Sequence, residues 1–125
     1  MPEAPRQRPS KHAVLHTFTA RIRAAPDDVF AAASARLDPG PVAAYAFLSD
    51  PGELLIVSQG GWWYRGEYRV TADLDGATLE HVIVNIAQLG EKAALVAARK
   101  TLATAPLAFH ELVMSLRADL EQQPR

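Results

Sequence analysis

His81, Asn85 and Tyr68 are the side chains of this 125-residue chain whose types and spacing suggest chemistry: an imidazole, an amide and a phenol, each at an inward position of an alternating run. General acid–base work would fall to His81 or to a tyrosine, because Asp73, Asp75 and Glu80 fall on the outward side or in a turn. His16, His81 and His110 could converge on a metal from two strands and a helix. No local ligand spacing supports that, so neither a metal nor another cofactor is expected, and His110, near Met114 at the edge of a helix face, reads as a boundary histidine. The chain has no cysteine, which excludes disulfides and thiolate chemistry. It has no Gly-rich phosphate loop and no nucleophile elbow.

The elements that must position these groups begin with residues 62–87, two strand-like runs around Asp75-Gly76. Taking Asp75-Gly76 as the loop pairs Leu74 with Ala77, Ala72 with Leu79, Val70 with His81, Tyr68 with Ile83 and Gly66 with Asn85. One face then carries Trp62, Tyr64, Gly66, Tyr68, Leu79, His81, Ile83 and Asn85. If Gly60-Gly61 is also a two-residue loop, Gln59, Val57 and Leu55 join that face. The charges of Arg65, Glu67 and Arg69 mark the other face as outward. An unpaired buried polar group costs roughly 1–3 kcal/mol, so His81 and Asn85 need partners. Those partners are each other, Tyr68, His16, water, or a ligand; an internal network and a ligand contact both remain open. Trp62, Tyr64 and Tyr68 read either as core or as a stack for a flat ligand, and Gly66 as a bulge or as space between them. On the outward face Trp63, Val82, Val84 and Ile86 form an apolar stripe, which predicts either a homodimer through that surface or cover from residues 90–103.

The remainder of the chain supplies the frame. Residues 1–11, with Pro2, Pro5 and Pro9 among basic residues, read as a disordered tail. Residues 12–23 alternate as a strand. Residues 26–37 read as a helix opened by Pro26 and two acidic residues. Two further strands are expected over residues 42–49 and 53–59. The region after residue 88 is helical, in two pieces: residues 90–103, then a helix capped by Thr104 with Pro106 in its first turn and with Phe109, Leu112, Val113, Leu116 and Leu120 at helical spacing. A meander of antiparallel strands and an amphipathic terminal helix make an α+β fold in which the sheet covers the helix.

Composition narrows the function. A formal net charge of -1 gives no excess of cations for phosphates, so no nucleic-acid partner is expected. No apolar run is long enough to span a bilayer and the start is polar, so no membrane span is expected and the expected location is cytoplasmic.

Three stretches resemble the helix-grip superfamily of START-like and polyketide cyclase-like proteins (SRPBCC). They are the strand-to-helix entry from His16 through Ala25-Pro26-Asp27-Asp28-Val29-Phe30, the late hairpin with Asp75-Gly76-Ala77-Thr78-Leu79, and Ala105-Pro106-Leu107 followed by a long amphipathic helix. Five strands are counted, fewer than such proteins commonly have. The resemblance implies a single helix-grip domain over residues 12–123, a curved antiparallel sheet wrapped around the C-terminal helix, with an apolar cavity between them. Its ligand-binding residues would be Trp62, Tyr64, Tyr68, His81, Ile83 and Asn85 from the hairpin, His16 from the first strand, and Phe109 and Val113 from the helix. The favoured expectation is a binder of a small hydrophobic molecule such as a lipid or polyketide. The alternatives are a cyclase or dehydratase-like enzyme with His81 as base, and a non-catalytic protein–protein interaction module whose core is filled by its own side chains.

Overall fold

Among the described residues, alternation of inward and outward positions builds five strands, and a 30-residue helix follows them. A computed structural model describes residues 3–41 and 44–121. The elements are β1 (Ala13–Ile22), α1 (Pro26–Leu37), β2 (Ala46–Asp50), β3 (Leu55–Gly60), β4 (Tyr64–Asp73), β5 (Gly76–Asn85) and α2 (Glu91–Leu120). The strands form one open antiparallel sheet in the order β1-β5-β4-β3-β2, so the first strand pairs with the last. The expected start of the second strand at Val42 lies outside the described residues, as do Met1, Pro2 and residues 122–125.

One face of the sheet packs on both helices. Ile22, Ile56, Val70 and Leu79 meet Val29, Phe30 and Ala33 of α1 and Phe109, Val113 and Leu116 of α2, all buried. Each such large side chain stabilises the fold by about 1.5–3 kcal/mol relative to exposure. Pro26 begins α1 where a missing N–H costs nothing, and Asp27 and Asp28 sit in its first turn.

The register differs from expectation in two places, with opposite consequences. In the β4–β5 hairpin Asp73 pairs with Gly76, Tyr68 with His81, Gly66 with Ile83 and Tyr64 with Asn85. The loop is Leu74-Asp75, one residue earlier than expected, because Asp73 takes the Leu74 N–H (2.6 Å) and the Thr78 hydroxyl (3.0 Å) and so closes the turn itself. Each residue's partner moves by two, so the inward set is unchanged. In the β3–β4 hairpin Gly60 pairs with Tyr64, leaving a three-residue loop, Gly61-Trp62-Trp63. Gly60 stays in the strand because Tyr45 packs against it; a Cβ there would lie 2.5 Å from that of Tyr45. Gly61 then takes the left-handed turn position, φ 63°. This odd slip puts Leu55, Val57 and Gln59 on the outward face, beside Arg69, Glu67 and Arg65, and brings Ile56 and Ser58 inward.

The two tryptophans exchange roles as a result. Trp62 is 51% exposed in the loop, whereas Trp63 is buried against Ala94, Ala98 and Ala105 of α2. Trp63 therefore lies on the helix side and forms no part of an outward stripe.

The terminal region is one helix and not two. Pro106 removes a single N–H, the one that would bond to the Leu102 carbonyl. Thr104 is no cap; its hydroxyl donates back to the Lys100 and Thr101 carbonyls, both at 3.3 Å. Ala105 and Phe109, buried on either side of the proline, hold both halves on the sheet.

Residues 3–11 carry no regular structure, yet they lie across the outward face. Ala4 is buried with Leu48, Leu55 and Val57. Arg65 is 0% exposed on that face: it donates through Nε to Glu67 (2.7 Å), through Nη1 to the Pro5 carbonyl (2.7 Å) and Gln59 (3.0 Å), and through Nη2 to the Arg6 carbonyl (2.6 Å). Arg8 grips Glu67 from the other side with two bonds, 2.9 and 2.7 Å. Val82 and Val84, paired with Glu67 and Arg65, are buried within the single chain. Of the apolar stripe that suggested a homodimer, Val82 and Val84 are thus buried within one chain, Trp63 packs on Ala94 and Ala98 of the 90–103 segment, and Ile86 is half-buried. Among the described residues, no helix is long and apolar enough to cross a membrane.

Candidate functional site

The register sets Phe18, His81 and Tyr68 in one row across β1, β5 and β4, all on the helix-facing side. Their rings stack along that row. His81 lies parallel to Tyr68 at 4.0 Å between centroids and to Phe18 at 5.9 Å, with Phe109 of α2 at 6.1 Å. Offset stacking of this kind adds to simple burial and fixes the plane of the imidazole.

Hydrogen bonding fixes its tautomer. Nδ1 of His81 lies 3.2 Å from the Glu67 carbonyl. A carbonyl can only accept, so Nδ1 carries the proton and Nε2 carries the lone pair. His81 is 5% exposed, and burial pushes its pKa down to about 4 against a small upward pull from the Glu67 carbonyl. The ring is neutral at physiological pH.

Tyr64 and Tyr68 complete the floor. Gly66 stands between them, and the space its missing Cβ leaves is taken by Tyr64: a Cβ there would fall on the Tyr64 hydroxyl, 2.9 Å from Cζ and 3.3 Å from Cε1 of His81. The gap in the aromatic row is thus filled by the row's own first member. Burial raises the pKa of Tyr64 to about 12, helped by Tyr45, and raises that of Tyr68 as well. Both phenols stay protonated. Among the described residues, no hydrogen bond engages either hydroxyl or Nε2 of His81.

Above this floor the middle of α2 turns small. Thr101, Thr104, Ala105 and Ala108 face the tyrosines where Phe109, Val113 and Leu116 fill the core farther along. The mismatch leaves an inner chamber of about 200 Å³ bounded by Tyr64, Tyr68, His81, Ile83, Phe109 and the small residues of α2. It adjoins a more open outer chamber of about 460 Å³, where Tyr45, Ser58, Gly60 and Trp63 form the walls. Leu37, Tyr64, Tyr68 and Thr101 border both. Among the described residues, no Asp, Glu, Lys or Arg lines either chamber.

Of the residues expected to contact a ligand, Tyr64, Tyr68, His81, Ile83 and Phe109 meet at the inner chamber. Four do not join them. Trp62 points into solvent. Val113 is core. His16, paired with Ile83 on the edge strand, is exposed, its ring 4.4 Å from that of Phe18, next to a bulge between Val14 and His16 that shifts the pairing. Asn85 is buried away from the inner chamber: its Oδ1 accepts from the Ala87 N–H at 2.9 Å, and it lines a separate small cleft with Lys11 and Glu91. His110 is exposed on α2. The residues missed, chiefly Leu37, Thr101, Thr104 and Ala108, carried one legible signal: the apolar stripe of the terminal helix loses its bulk over residues 101–108.

Comparison with protein-family models, with curated proteins and with solved structures finds no match.

Proposed function

We propose that the protein binds a small, mostly apolar, uncharged molecule in the chambers between the sheet and α2. The observation that carries this is the pairing of an apolar cavity with polar atoms that no group among the described residues engages and that open on that space: Nε2 of His81 and the hydroxyls of Tyr64 and Tyr68. Binding pockets have this composition, an apolar wall with a few placed polar groups. The resemblance to the helix-grip superfamily supports the same reading, since an open antiparallel sheet with a long C-terminal helix over one face suits that architecture.

Binding is favoured over turnover. A general base works best with a pKa near the operating pH, and burial holds His81 near 4. Among the described residues no carboxylate lines the chambers to assist it. A plain interaction module is disfavoured because side chains do not fill the space.

Native mass spectrometry of freshly purified protein, with uptake of an apolar fluorescent probe, tests the proposal. Thr101 borders both chambers, so Thr101→Phe should abolish probe uptake while leaving the melting temperature within a few degrees. Probe uptake that survives in Thr101→Phe, or no uptake by the native chain, would sink it.

A further inference from the structure

The polar atoms around the inner chamber are not equivalent. The hydroxyls of Tyr64 and Tyr68 can donate or accept, but Nε2 of His81 can only accept, because Nδ1 holds the ring's single proton against the Glu67 carbonyl. Nε2 has no donor among the described residues, and since no fully buried side-chain nitrogen or oxygen there lacks a partner, it opens on the chamber beside Tyr68 and Phe109, where a guest can reach it. Thr104, the hydroxyl across from it on α2, spends its proton on helix carbonyls. Size restricts the guest further: a dry protein cavity of about 150 Å³ takes up benzene, so the inner chamber of about 200 Å³ suits one six-membered ring with a small substituent. An anion entering it would meet no cationic side chain and would lose its water.

We propose that the inner chamber selects a neutral guest that donates a hydrogen bond from its buried end, a phenol or comparable hydroxyl compound, with His81 Nε2 as acceptor and the tail of the guest in the outer chamber. This rests on the cavity reading and narrows it to a substrate class. His81 is then a specificity residue and Tyr68 its positioning partner.

Calorimetric titration of the native protein with three probes of one shape tests it: para-butylphenol, its methyl ether para-butylanisole, and para-butylbenzoate. The phenol should bind roughly tenfold tighter than the ether, about the worth of one buried hydrogen bond, and the benzoate more weakly than both. In His81→Phe the ether should still bind and the phenol-to-ether ratio should fall to near one. A nitrogen-15 spectrum of the native protein gives a reading independent of that variant's folding: the Nε2 resonance should shift on adding the phenol and not on adding the ether. Equal affinity for phenol and ether overturns the donor selection and leaves the cavity reading standing. Absence of binding by all three probes overturns both.

Discussion

Strands β4 and β5 bury polar side chains on both of their faces, and the two faces treat them differently. On the outward face Arg65 has four of its five N–H donors engaged by groups of the same chain. Glu67 lies between Arg8 and Arg65; burial works to raise its pKa, but the two guanidiniums outweigh it and hold the carboxyl below its usual range. On the inward face, one register position from Arg65 and Glu67, Tyr64, Tyr68 and His81 keep valences the chain does not use. A buried polar group fully met by its own chain is structural. A polar group whose unused atom opens on a cavity is the place to look for a ligand.

The contrast can be broken at three points. The largest effect belongs to the satisfied face. Arg65→Met should destabilise by about 3–5 kcal/mol in urea unfolding at neutral pH, because Glu67 loses a buried partner and the Pro5 and Arg6 carbonyls lose theirs. A loss under about 1 kcal/mol would mean that residues 3–11 do not bury that charge.

Next is the acid response of the inward face. His81 has a folded pKa near 4 against about 6.5 when unfolded, so above pH 6.5 both states are neutral and the group is silent. As pH falls from 6.5 to 4 the unfolded chain takes up a proton that the native chain refuses, and stability drops by on the order of 3 kcal/mol. His81→Phe should remove that part of the decline. The depressed carboxyl of Glu67 acts in a lower window, its contribution being lost as pH falls below the ordinary range of a glutamate. Parallel pH–stability curves for native and His81→Phe proteins between pH 6.5 and 4 would contradict the assignment.

The smallest effect is at Gly66. Gly66→Ala pushes a methyl group onto the Tyr64 hydroxyl, so the phenol must swing into the chambers. A cost of about 1–3 kcal/mol and weakened probe uptake are expected. Unchanged uptake would show that Tyr64 does not border the occupied space.

Much of this contrast could be read from residues alone, and the exceptions have local causes. Alternation placed Tyr64, Tyr68, His81 and Ile83 on one side, and the slip at Leu74-Asp75 preserved that set because it was even. The β3 assignment failed because the slip at Gly60 was odd; what decided it was Tyr45, 15 residues earlier in the chain, pressing on a glycine. Asn85 looked like a site residue, but a backbone N–H two residues on takes its Oδ1 and it lines a separate cleft, an arrangement that composition cannot reveal. Residues 3–11 looked free because they have no periodicity, while their hold on the sheet combines the Pro5 and Arg6 carbonyls, which every residue type offers, with the side-chain ion pairs of Arg6 and Arg8 to Asp50 and Glu67. Pro106 looked like a boundary, and packing on both sides of it carried the helix through.

The grip of residues 3–11 on Arg65 has a consequence for the order of events in synthesis. Those residues are made before the hairpin they bind: the contacts of Pro5, Arg6 and Arg8 span 59 or 60 positions, and the partner of β1 ends at Asn85. Residues 3–11 therefore wait for β4 and β5 before they have anywhere to dock. Until then Arg65 and the apolar residues beside it lack their cover, so a segment that precedes the sheet in sequence acts as a late closing piece of the fold.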